Sequence, residues 1–187
     1  MNEDIENCLE VLNKGGTILY PTDTVWGIGC DASNEAAVQR IFGIKQRHEA
    51  KSMIVLVAAA ESIGQYAFFP PGAEGLLRAP KPITVIYPHA NRTALAPSVI
   101  ASDGTIAIRV TGDGFCRELI LKFGKPIVST SANISGSKAP GNFTEIAQAI
   151  KSRVDYVVKW RREETNKNAP SGIIKINANG STEVIRA

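Results

Sequence analysis

The sequence predicts an α/β fold built on a mixed sheet. Stretches of β-prone residues alternate with amphipathic helical stretches along the 187 residues. Several strand pairs follow each other without a helix between them, whereas a fully parallel sheet needs a crossover between successive strands. With 44% hydrophobic and 21% charged residues, the composition is that of a globular protein, and we expect one domain over residues 1–187.

The first half of the chain begins with an amphipathic helix. Its apolar residues recur at helical spacing, namely Ile5, Cys8, Leu9, Val11 and Leu12. Gly15-Gly16 supplies the left-handed conformation in which helices often end. The other elements predicted here are a strand over 17–20, an apolar stretch over 25–32, a helix capped by Ser33 or Asn34, a strand over 53–57, two short helices within 59–78 and a strand over 81–88.

The second half continues the alternation. Its predicted elements are a strand over 105–110, a helix over 115–123, a strand beginning at 127, a helix over 144–153, a strand over 154–158 and a closing hairpin over 170–176 and 182–186. Asn179-Gly180 is a strong signal for the hairpin turn. Residues 159–169 are almost wholly polar and predict a mobile surface loop, which we expect to close over the functional site.

Composition excludes several classes of protein. No apolar run approaches the length that spans a membrane, and the acidic N-terminus lacks the pattern of a secretory signal, so we expect a cytoplasmic protein. Cys8, Cys30 and Cys116 are widely spaced and only two histidines are present, which predicts free packed thiols rather than disulfides or a zinc site. The net charge of +3 permits a basic face without demonstrating nucleic-acid binding.

The most informative stretch runs from Lys125 to Gly136. An apolar segment, Ile127-Val128, gives way to Ser129-Thr130-Ser131-Ala132-Asn133, whose hydroxyls and amide are costly to bury without partners. This pattern predicts a strand running into a polar loop. Taken alone, such a cluster is more often a turn or helix cap than the wall of a ligand site, so both interpretations stay open.

Positively charged residues supply the second signal. Lys45, Arg47 and Lys51 precede the strand over 53–57, where they either bind an anion or form a solvated helix end. Arg109 lies in a predicted strand, and a buried arginine is expensive unless it meets an anion or a carboxylate. Phosphate-loop, dinucleotide-binding, zinc-protease and serine-hydrolase motifs are absent. These positively charged residues, together with the hydroxyl and amide side chains, therefore indicate a site that holds an anionic ligand by well-placed polar groups.

Five motifs, in this order, resemble those of the YrdC/YciO family, whose enzymes are threonylcarbamoyl-AMP synthases. They are Pro21-Thr22-Asp23-Thr24-Val25-Trp26-Gly27-Ile28, Lys45-Gln46-Arg47, Ala107-Ile108-Arg109-Val110, Ser129-Thr130-Ser131-Ala132-Asn133-Ile134-Ser135-Gly136 and Pro170-Ser171. The resemblance covers nearly the whole chain. It implies a YrdC-like (DHBP synthase-like) twisted mixed parallel and antiparallel sheet with flanking helices and a basic concave cavity, in a single-domain form without the additional C-terminal domain of longer members.

The resemblance also implies a reaction and its partners. L-threonine and bicarbonate form a carbamate that attacks the α-phosphate of ATP, giving threonylcarbamoyl-AMP and pyrophosphate. Mg²⁺ is expected to arrive bound mainly through the ATP phosphates, with no dedicated metal site on the protein. A threonylcarbamoyl-transferase complex would then pass the product to tRNA, at the adenosine just 3′ of the anticodon.

Site residues follow by position from the same resemblance. Threonine would be held by Thr24, Arg109, Ser129 and Ser171. The nucleotide would be lined by Arg47, Lys51, Thr105, Ser131, Asn133, Ala139 and Arg186. Lys45, Arg47 and Arg109 would supply the catalytic charge, because nucleotidyl transfer depends on alignment and neutralisation of phosphate charge. No side chain stands out as a general base.

Some residues depart from the family pattern and leave alternatives open. His48 and Lys51-Ser52 replace proline and Lys-Pro, Arg78-Ala79-Pro80-Lys81-Pro82-Ile83-Thr84 replaces Trp-Pro-Gly-Pro-Leu-Thr, and Gly172 follows Pro170-Ser171 where threonine is usual. One alternative is therefore a divergent YciO-like nucleotide-binding or RNA-binding paralogue without synthase activity. Another is a module that binds structured RNA without catalysis, which would require clustering of the positive charges.

Overall fold

The structure is a computed structural model that describes residues 1–46 and 53–187. Its α-helices are α1 (Asn2–Asn13), α2 (Glu35–Lys45), α3 (Ala73–Leu76), α4 (Gly114–Phe123) and α5 (Gln148–Lys151). Short 3-10 helices span Ala60–Gln65, Pro97–Val99 and Phe143–Glu145. The strands are β1 (Ile18–Tyr20), β2 (Gly27–Gly29), β3 (Ile54–Val57), β4 (Ile83–Tyr87), β5 (Ile106–Val110), β6 (Ile127–Ser131), β7 (Tyr156–Val157), β8 (Gly172–Ile176) and β9 (Thr182–Arg186).

The strands form a mixed sheet, which confirms the predicted fold class. Their order is β7-β1-β2-β6-β3-β5-β4-β8-β9. The pairs β1/β7, β3/β5 and β4/β8 are parallel, whereas β1/β2, β2/β6, β3/β6, β4/β5 and β8/β9 are antiparallel. The central strands β6, β3 and β5 are therefore neighbours in the sheet although long segments separate them in sequence.

Cross-strand register divides the central side chains between two faces. Paired residues point to the same face and consecutive residues to opposite faces. Val55 pairs with Ile108 and Val128, and these apolar side chains occupy one face. On the opposite face, Ile54 pairs with Ala107 and Ser129, and Arg109 lies two residues beyond Ala107. The second face thus carries small, polar and charged side chains beside apolar ones such as Ile54 and Leu56.

Helix ends and the core agree with the sequence pattern. Asn34 caps α2 by accepting from the Ala37 N–H at 3.1 Å, and Asp113 caps α4 by accepting from the Cys116 N–H at 2.9 Å. Gly124 ends α4 with a φ of 72°. All three cysteines are free and buried, as predicted, and burial raises the pKa of Cys8 to about 12.

Two predicted boundaries are wrong. The helix expected over 144–153 is divided into the 3-10 helix Phe143–Glu145 and α5, with extended backbone at Ile146 between them. Asn142 accepts from Glu145 N–H and the Thr144 hydroxyl, so local side-chain bonds replace helix propagation. The polar loop after Val128 begins later than predicted, because β6 continues to Ser131, where Ser131 pairs with Gly27.

Within residues 1–46 and 53–187, no helix combines the length and the apolar character needed to cross a bilayer.

Close packing around Gly29 generates a stability prediction. A Cβ at Gly29 would lie 2.5 Å from the Val128 carbonyl oxygen and 2.7 Å from the Tyr20 ring. We expect Gly29→Ala to lower the free energy of unfolding by about 1–3 kcal/mol or more. The matched control is Gly43→Ala, at an exposed position of α2 with nothing within 4 Å, which should be neutral or stabilise by about 0.5–1 kcal/mol. Equal effects in urea unfolding would contradict this packing account.

Asp4 generates a pH prediction. Burial raises the pKa of Asp4, but hydrogen bonds from Lys159 N–H, the Tyr156 hydroxyl and Trp160 N–H outweigh this effect and leave the pKa below its ordinary value. These bonds measure 2.7, 2.7 and 3.0 Å. A depressed carboxyl pKa stabilises the fold above the unfolded-state pKa, and this contribution disappears as the pH falls through the folded-state pKa.

The unfolding free energy of Asp4→Asn should therefore fall less between pH 7 and pH 2 than that of the wild type. The control Glu163→Gln changes an exposed carboxylate and should preserve the wild-type dependence. Parallel pH profiles for Asp4→Asn and wild type would refute the role given to Asp4.

Candidate functional site

The polar face of the central strands forms the floor of a cavity of about 350 Å³. The strand residues that line this cavity are Gly27, Ile54, Ile86, Ala107, Arg109, Ser129, Thr130, Ser131 and Ile173. Loops and strand ends complete the wall with Thr24, Val25, Met53, Asn133, Ser137, Ala139, Pro170, Ser171 and Arg186. A volume of this size fits the range of small-molecule sites.

Glycines keep the floor open beside β6. A Cβ at Gly27 would lie 3.1 Å from the Ser129 hydroxyl oxygen and 3.4 Å from the Tyr20 ring. Tyr20 is fully buried, and its hydroxyl donates to the Val128 carbonyl at 3.3 Å. Glycine on β2 therefore lets the Tyr20 ring pack over this strand, on the same face of the sheet as the Ser129 hydroxyl.

Arg109 is the buried charge of the cavity, with 3% of its surface exposed. Its Nη1 donates to the Thr24 hydroxyl at 2.9 Å, and its Nη2 lies 3.2 Å from Asp23 Oδ1. The second oxygen of Asp23 accepts from Gly112 N–H at 2.9 Å, which ties this carboxylate to the chain beyond β5. The predicted carboxylate partner of Arg109 is thus present, while Arg109 Nε is buried without a hydrogen-bond partner.

The turn between β1 and β2 holds Thr24 through a second threonine. The Thr22 hydroxyl donates to the Val25 carbonyl at 2.8 Å and accepts from Thr24 N–H at 3.0 Å. The hydroxyl oxygens of Thr22 and Thr24 lie 3.0 Å apart. Both residues are buried, so the Thr24 side chain is fixed by the turn on one side and by Arg109 on the other.

The loop after β6 is organised around Lys45 and Asn133. Lys45 is 2% exposed, and its ammonium donates to the carbonyls of Ser131 and Asn133, the latter at 2.8 Å. The Asn133 amide donates to the Ile134 and Ser137 carbonyls at 3.0 and 2.6 Å. Ser135 N–H donates a hydrogen bond to the Lys45 carbonyl at 2.9 Å. The end of α2 and the loop therefore hold each other in shape.

The far wall of the cavity is formed at the start of β8. The Ser171 hydroxyl lies 2.8 Å from the Thr84 hydroxyl, and both residues are buried. Arg186, on β9, donates from Nε and Nη2 to the Ser171 carbonyl at 3.0 and 2.6 Å. These two bonds to one carbonyl oxygen hold the Arg186 guanidinium, which comes from an edge strand, at the rim of the cavity.

Most of the predicted site residues are brought together. The four assigned to threonine, Thr24, Arg109, Ser129 and Ser171, all line the cavity, as do Ser131, Asn133, Ala139 and Arg186 from the set assigned to the nucleotide. Lys45 supports the loop without lining the cavity. Arg47 and Lys51, together with His48 and Ser52, lie outside the described residues. The roles assigned to all these residues stay predictions.

Thr105 is placed apart from the other predicted residues. It precedes β5, where its hydroxyl and N–H donate to Asp103 Oδ1 at 2.6 and 3.0 Å. It is absent from the described cavity wall. Its side chain thus shapes the turn before β5, and a contact with the nucleotide stays a prediction.

The polar segment 159–169 packs behind the turn that carries Thr24. Arg161 donates to Asp113 at 2.7 Å and to the Thr22 carbonyl at 3.4 Å. Asn142 donates to the Thr165 carbonyl at 3.1 Å, and Asn168 N–H donates to the Gly141 carbonyl at 3.1 Å. The segment therefore contacts both loops that border the cavity, and its closure over the site stays a prediction.

Sequence reasoning gave no role to Asp23, Thr84 or Arg161. Asp23 lies within a motif that was identified, and its place beside a threonine of the proposed site was the available signal. Thr84 lies in an apolar strand, where a buried hydroxyl needs a partner. Arg161 offered no local signal, because its partners Asp113 and Thr22 are remote in sequence.

The cavity is suited to binding and alignment of an anionic ligand. The buried Arg109 guanidinium, several hydroxyls and a hydrogen-bonded polar loop surround it. Such groups stabilise developing negative charge when they are held in place before reaction.

Comparisons with known proteins are consistent with this geometry. The Sua5/YciO/YrdC family model, described as "Telomere recombination", matches residues 10–187. A protein of Psychromonas ingrahamii named threonylcarbamoyl-AMP synthase is 35% identical over 154 residues, which cover 80% of this chain and 80% of that protein.

Two solved structures extend the comparison. E. coli YciO has a TM-score of 0.85 and 23% identity, covering all of this chain and 89% of that one, a likeness of fold alone. P. abyssi Sua5 complexed with L-threonine has a TM-score of 0.78 and 27% identity over 92% of this chain. This chain spans about half of the P. abyssi protein, namely 50%.

The buried Lys45 contacts generate a prediction about loop rigidity. Lys45→Met keeps the shape of the stem but removes the donors to Ser131 and Asn133. We expect the free energy of unfolding to fall by about 1–3 kcal/mol and amide hydrogen exchange over 131–137 to accelerate. Lys14→Met, at an exposed position of the chain, is the control and should change neither. Unchanged exchange in Lys45→Met would show that the ammonium does not hold the loop.

Proposed function

Because this chain belongs to the Sua5/YciO/YrdC family, we propose that it is an L-threonylcarbamoyladenylate synthase, a nucleotidyltransferase. It makes threonylcarbamoyl-AMP and pyrophosphate from L-threonine, bicarbonate and ATP. The observation that carries the proposal is the convergence of Arg109, Thr24, Ser129 and Ser171 on one cavity. The family resemblance assigns these four residues to threonine.

The amino-acid end of the proposed site is centred on Arg109. The substrate carboxylate lies against this guanidinium, whose buried Nε has no hydrogen-bond partner in the described structure. Burial strengthens such a contact, because neither ion is solvated by bulk water. The hydroxyls of Ser129 and Ser171 offer further hydrogen bonds around the same volume.

The nucleotide end lies along the loop after β6 and the rim formed by β9. Ser131, Asn133, Ala139 and Arg186 are the proposed lining, and Lys45 keeps the loop rigid while adding positive charge. Arg47, Lys51 and Thr105 belong to the proposal from sequence alone. These groups would hold the phosphates in line with the attacking oxygen.

The chemistry transfers an adenylyl group. The threonine amine and bicarbonate give the carbamate with loss of water, and a carbamate oxygen then attacks the α-phosphorus. The bond from that phosphorus to the bridging oxygen breaks, and pyrophosphate leaves with the electron pair. The protein contributes alignment and neutralisation of charge, and no side chain is given a covalent role.

Magnesium enters the proposal as part of the ATP substrate. Within residues 1–46 and 53–187, no group of three or more histidine, cysteine, aspartate or glutamate side chains could hold a metal ion. We propose that phosphate oxygens and water bind the ion, as is usual for Mg²⁺ with nucleotide substrates, and that it would neutralise the departing pyrophosphate.

The wider setting is also proposed. The chain acts as one domain over residues 1–187 in the cytoplasm, where ATP and tRNA are present. Its product is an activated acyl-adenylate, so a threonylcarbamoyl-transferase complex must consume it to modify tRNA. The relatives' names favour this function over a divergent paralogue. The described contacts favour a small-molecule cavity over an RNA-binding module.

Arg109 provides the test of the proposed site. Arg109→Lys keeps a positive charge beside Asp23 but removes the planar fork that suits a carboxylate. We expect threonine-dependent and bicarbonate-dependent pyrophosphate release to fall roughly 10²–10³-fold, with the thermal unfolding midpoint as a check on folding.

Arg117→Lys, at an exposed position of α4, is the matched control and should retain wild-type release. Activity of Arg109→Lys within threefold of wild type would reject the assignment of the carboxylate to Arg109.

A further inference from the structure

The hydroxyl of Thr22 has no hydrogen-bonding capacity left over. A threonine hydroxyl can donate one hydrogen bond and accept two. Its proton is committed to the Val25 carbonyl at 2.8 Å, since a carbonyl can only accept. One lone pair accepts from Thr24 N–H at 3.0 Å. The remaining contact, with the Thr24 hydroxyl at 3.0 Å, must therefore use the second lone pair of Thr22.

The bonds of Thr22 determine in which contacts the Thr24 hydroxyl donates and in which it accepts. Because Thr22 accepts in that contact, Thr24 donates its only hydroxyl proton to Thr22. One lone pair of Thr24 accepts from Arg109 Nη1 at 2.9 Å. Thr24 lines the cavity and is 5% exposed, so the single group it can offer a ligand is its second lone pair.

We propose that Thr22 is a positioning residue that makes Thr24 an acceptor-only contact, so that Thr24 recognises an N–H or O–H donor of the amino-acid substrate and not its carboxylate. A carboxylate oxygen also only accepts, and two acceptors at hydrogen-bond distance repel each other. The inference rests on the proposed function, and it narrows the assignment of Thr24 to the α-amine or the β-hydroxyl. Arg109 is then the carboxylate partner.

The donor can be identified with substrate fragments. L-threonine, L-2-aminobutyrate and (R)-3-hydroxybutyrate share the carboxylate, but the second lacks the β-hydroxyl and the third lacks the α-amine. Binding of each to the full chain is measured by calorimetry, or by competition with threonine, for the wild type and for Thr24→Val. Loss of one hydrogen bond should weaken binding roughly tenfold.

The outcomes separate the alternatives. If Thr24→Val binds L-threonine and (R)-3-hydroxybutyrate tenfold more weakly but L-2-aminobutyrate as well as the wild type does, the β-hydroxyl is the donor. If instead only (R)-3-hydroxybutyrate keeps its affinity, the α-amine is the donor. Either result supports the proposal. An equal loss for all three ligands means that Thr24 contacts the shared carboxylate or acts only through the fold, and no loss for any ligand means that it makes no contact. Either of these results overturns the proposal.

Thr22 is tested by a second pair of variants. Thr22→Val frees the Thr24 proton, so threonine affinity should fall about tenfold while ATP affinity is unchanged. Thr22→Ser keeps the hydroxyl and should restore threonine affinity to within about threefold of wild type. If Thr22 had a purely structural role, Thr22→Val would lose affinity for threonine and for ATP equally. That result would rule out the positioning role, and so would an unchanged threonine affinity in Thr22→Val.

Failure of this inference can be distinguished from failure of the proposed function. Suppose the wild-type chain releases pyrophosphate with threonine, bicarbonate and ATP, but Thr24→Val weakens the binding of all three ligands equally. The role of Thr24 is then overturned, and the proposed function stands. Wild-type chain that binds no threonine overturns both.

Discussion

The cost of burying the positive charge of Arg109 constrains the structure around it. An uncompensated charge at the centre of a sheet would destabilise the fold by several kcal/mol. Asp23 compensates that charge from the turn before β2, and Gly112 N–H holds Asp23 from the chain beyond β5. The same guanidinium donates to Thr24. The turn and the strand are therefore tied together by the charge that we assign to the substrate carboxylate.

The sheet makes room for a ligand at this charge by placing small residues next to it. Gly27 on β2 and Ser129 on β6 leave the floor open, and Ala107 precedes Arg109 on the same face of β5. The loop after β6 then needs another source of rigidity, since few apolar side chains are available there. Lys45 and Asn133 provide it through hydrogen bonds to loop carbonyls. Apolar packing thus stabilises the sheet, and polar contacts hold the loop that borders the cavity.

The sequence was most informative where a residue has local physical requirements. A buried arginine requires an acid, and Asn34 and Gly124 have side-chain or backbone properties suited to helix ends, so these features could be predicted. Local reasoning failed for residues 144–153, where bonds made by Asn142 interrupt the expected helix. Asp23, Thr84 and Arg161 went unassigned because their partners come from distant parts of the chain. The five motifs identified the cavity wall, whereas the hydrogen-bond polarity of Thr24 required coordinates.

The central claim is that threonine and ATP meet in the cavity above β2, β6 and β5. A crystal structure of the chain with L-threonine and a non-hydrolysable ATP analogue tests it most directly. We expect the threonine carboxylate at Arg109, with the α-phosphate facing the loop after β6. Threonine bound elsewhere, or a carboxylate that makes no contact with Arg109, would contradict it.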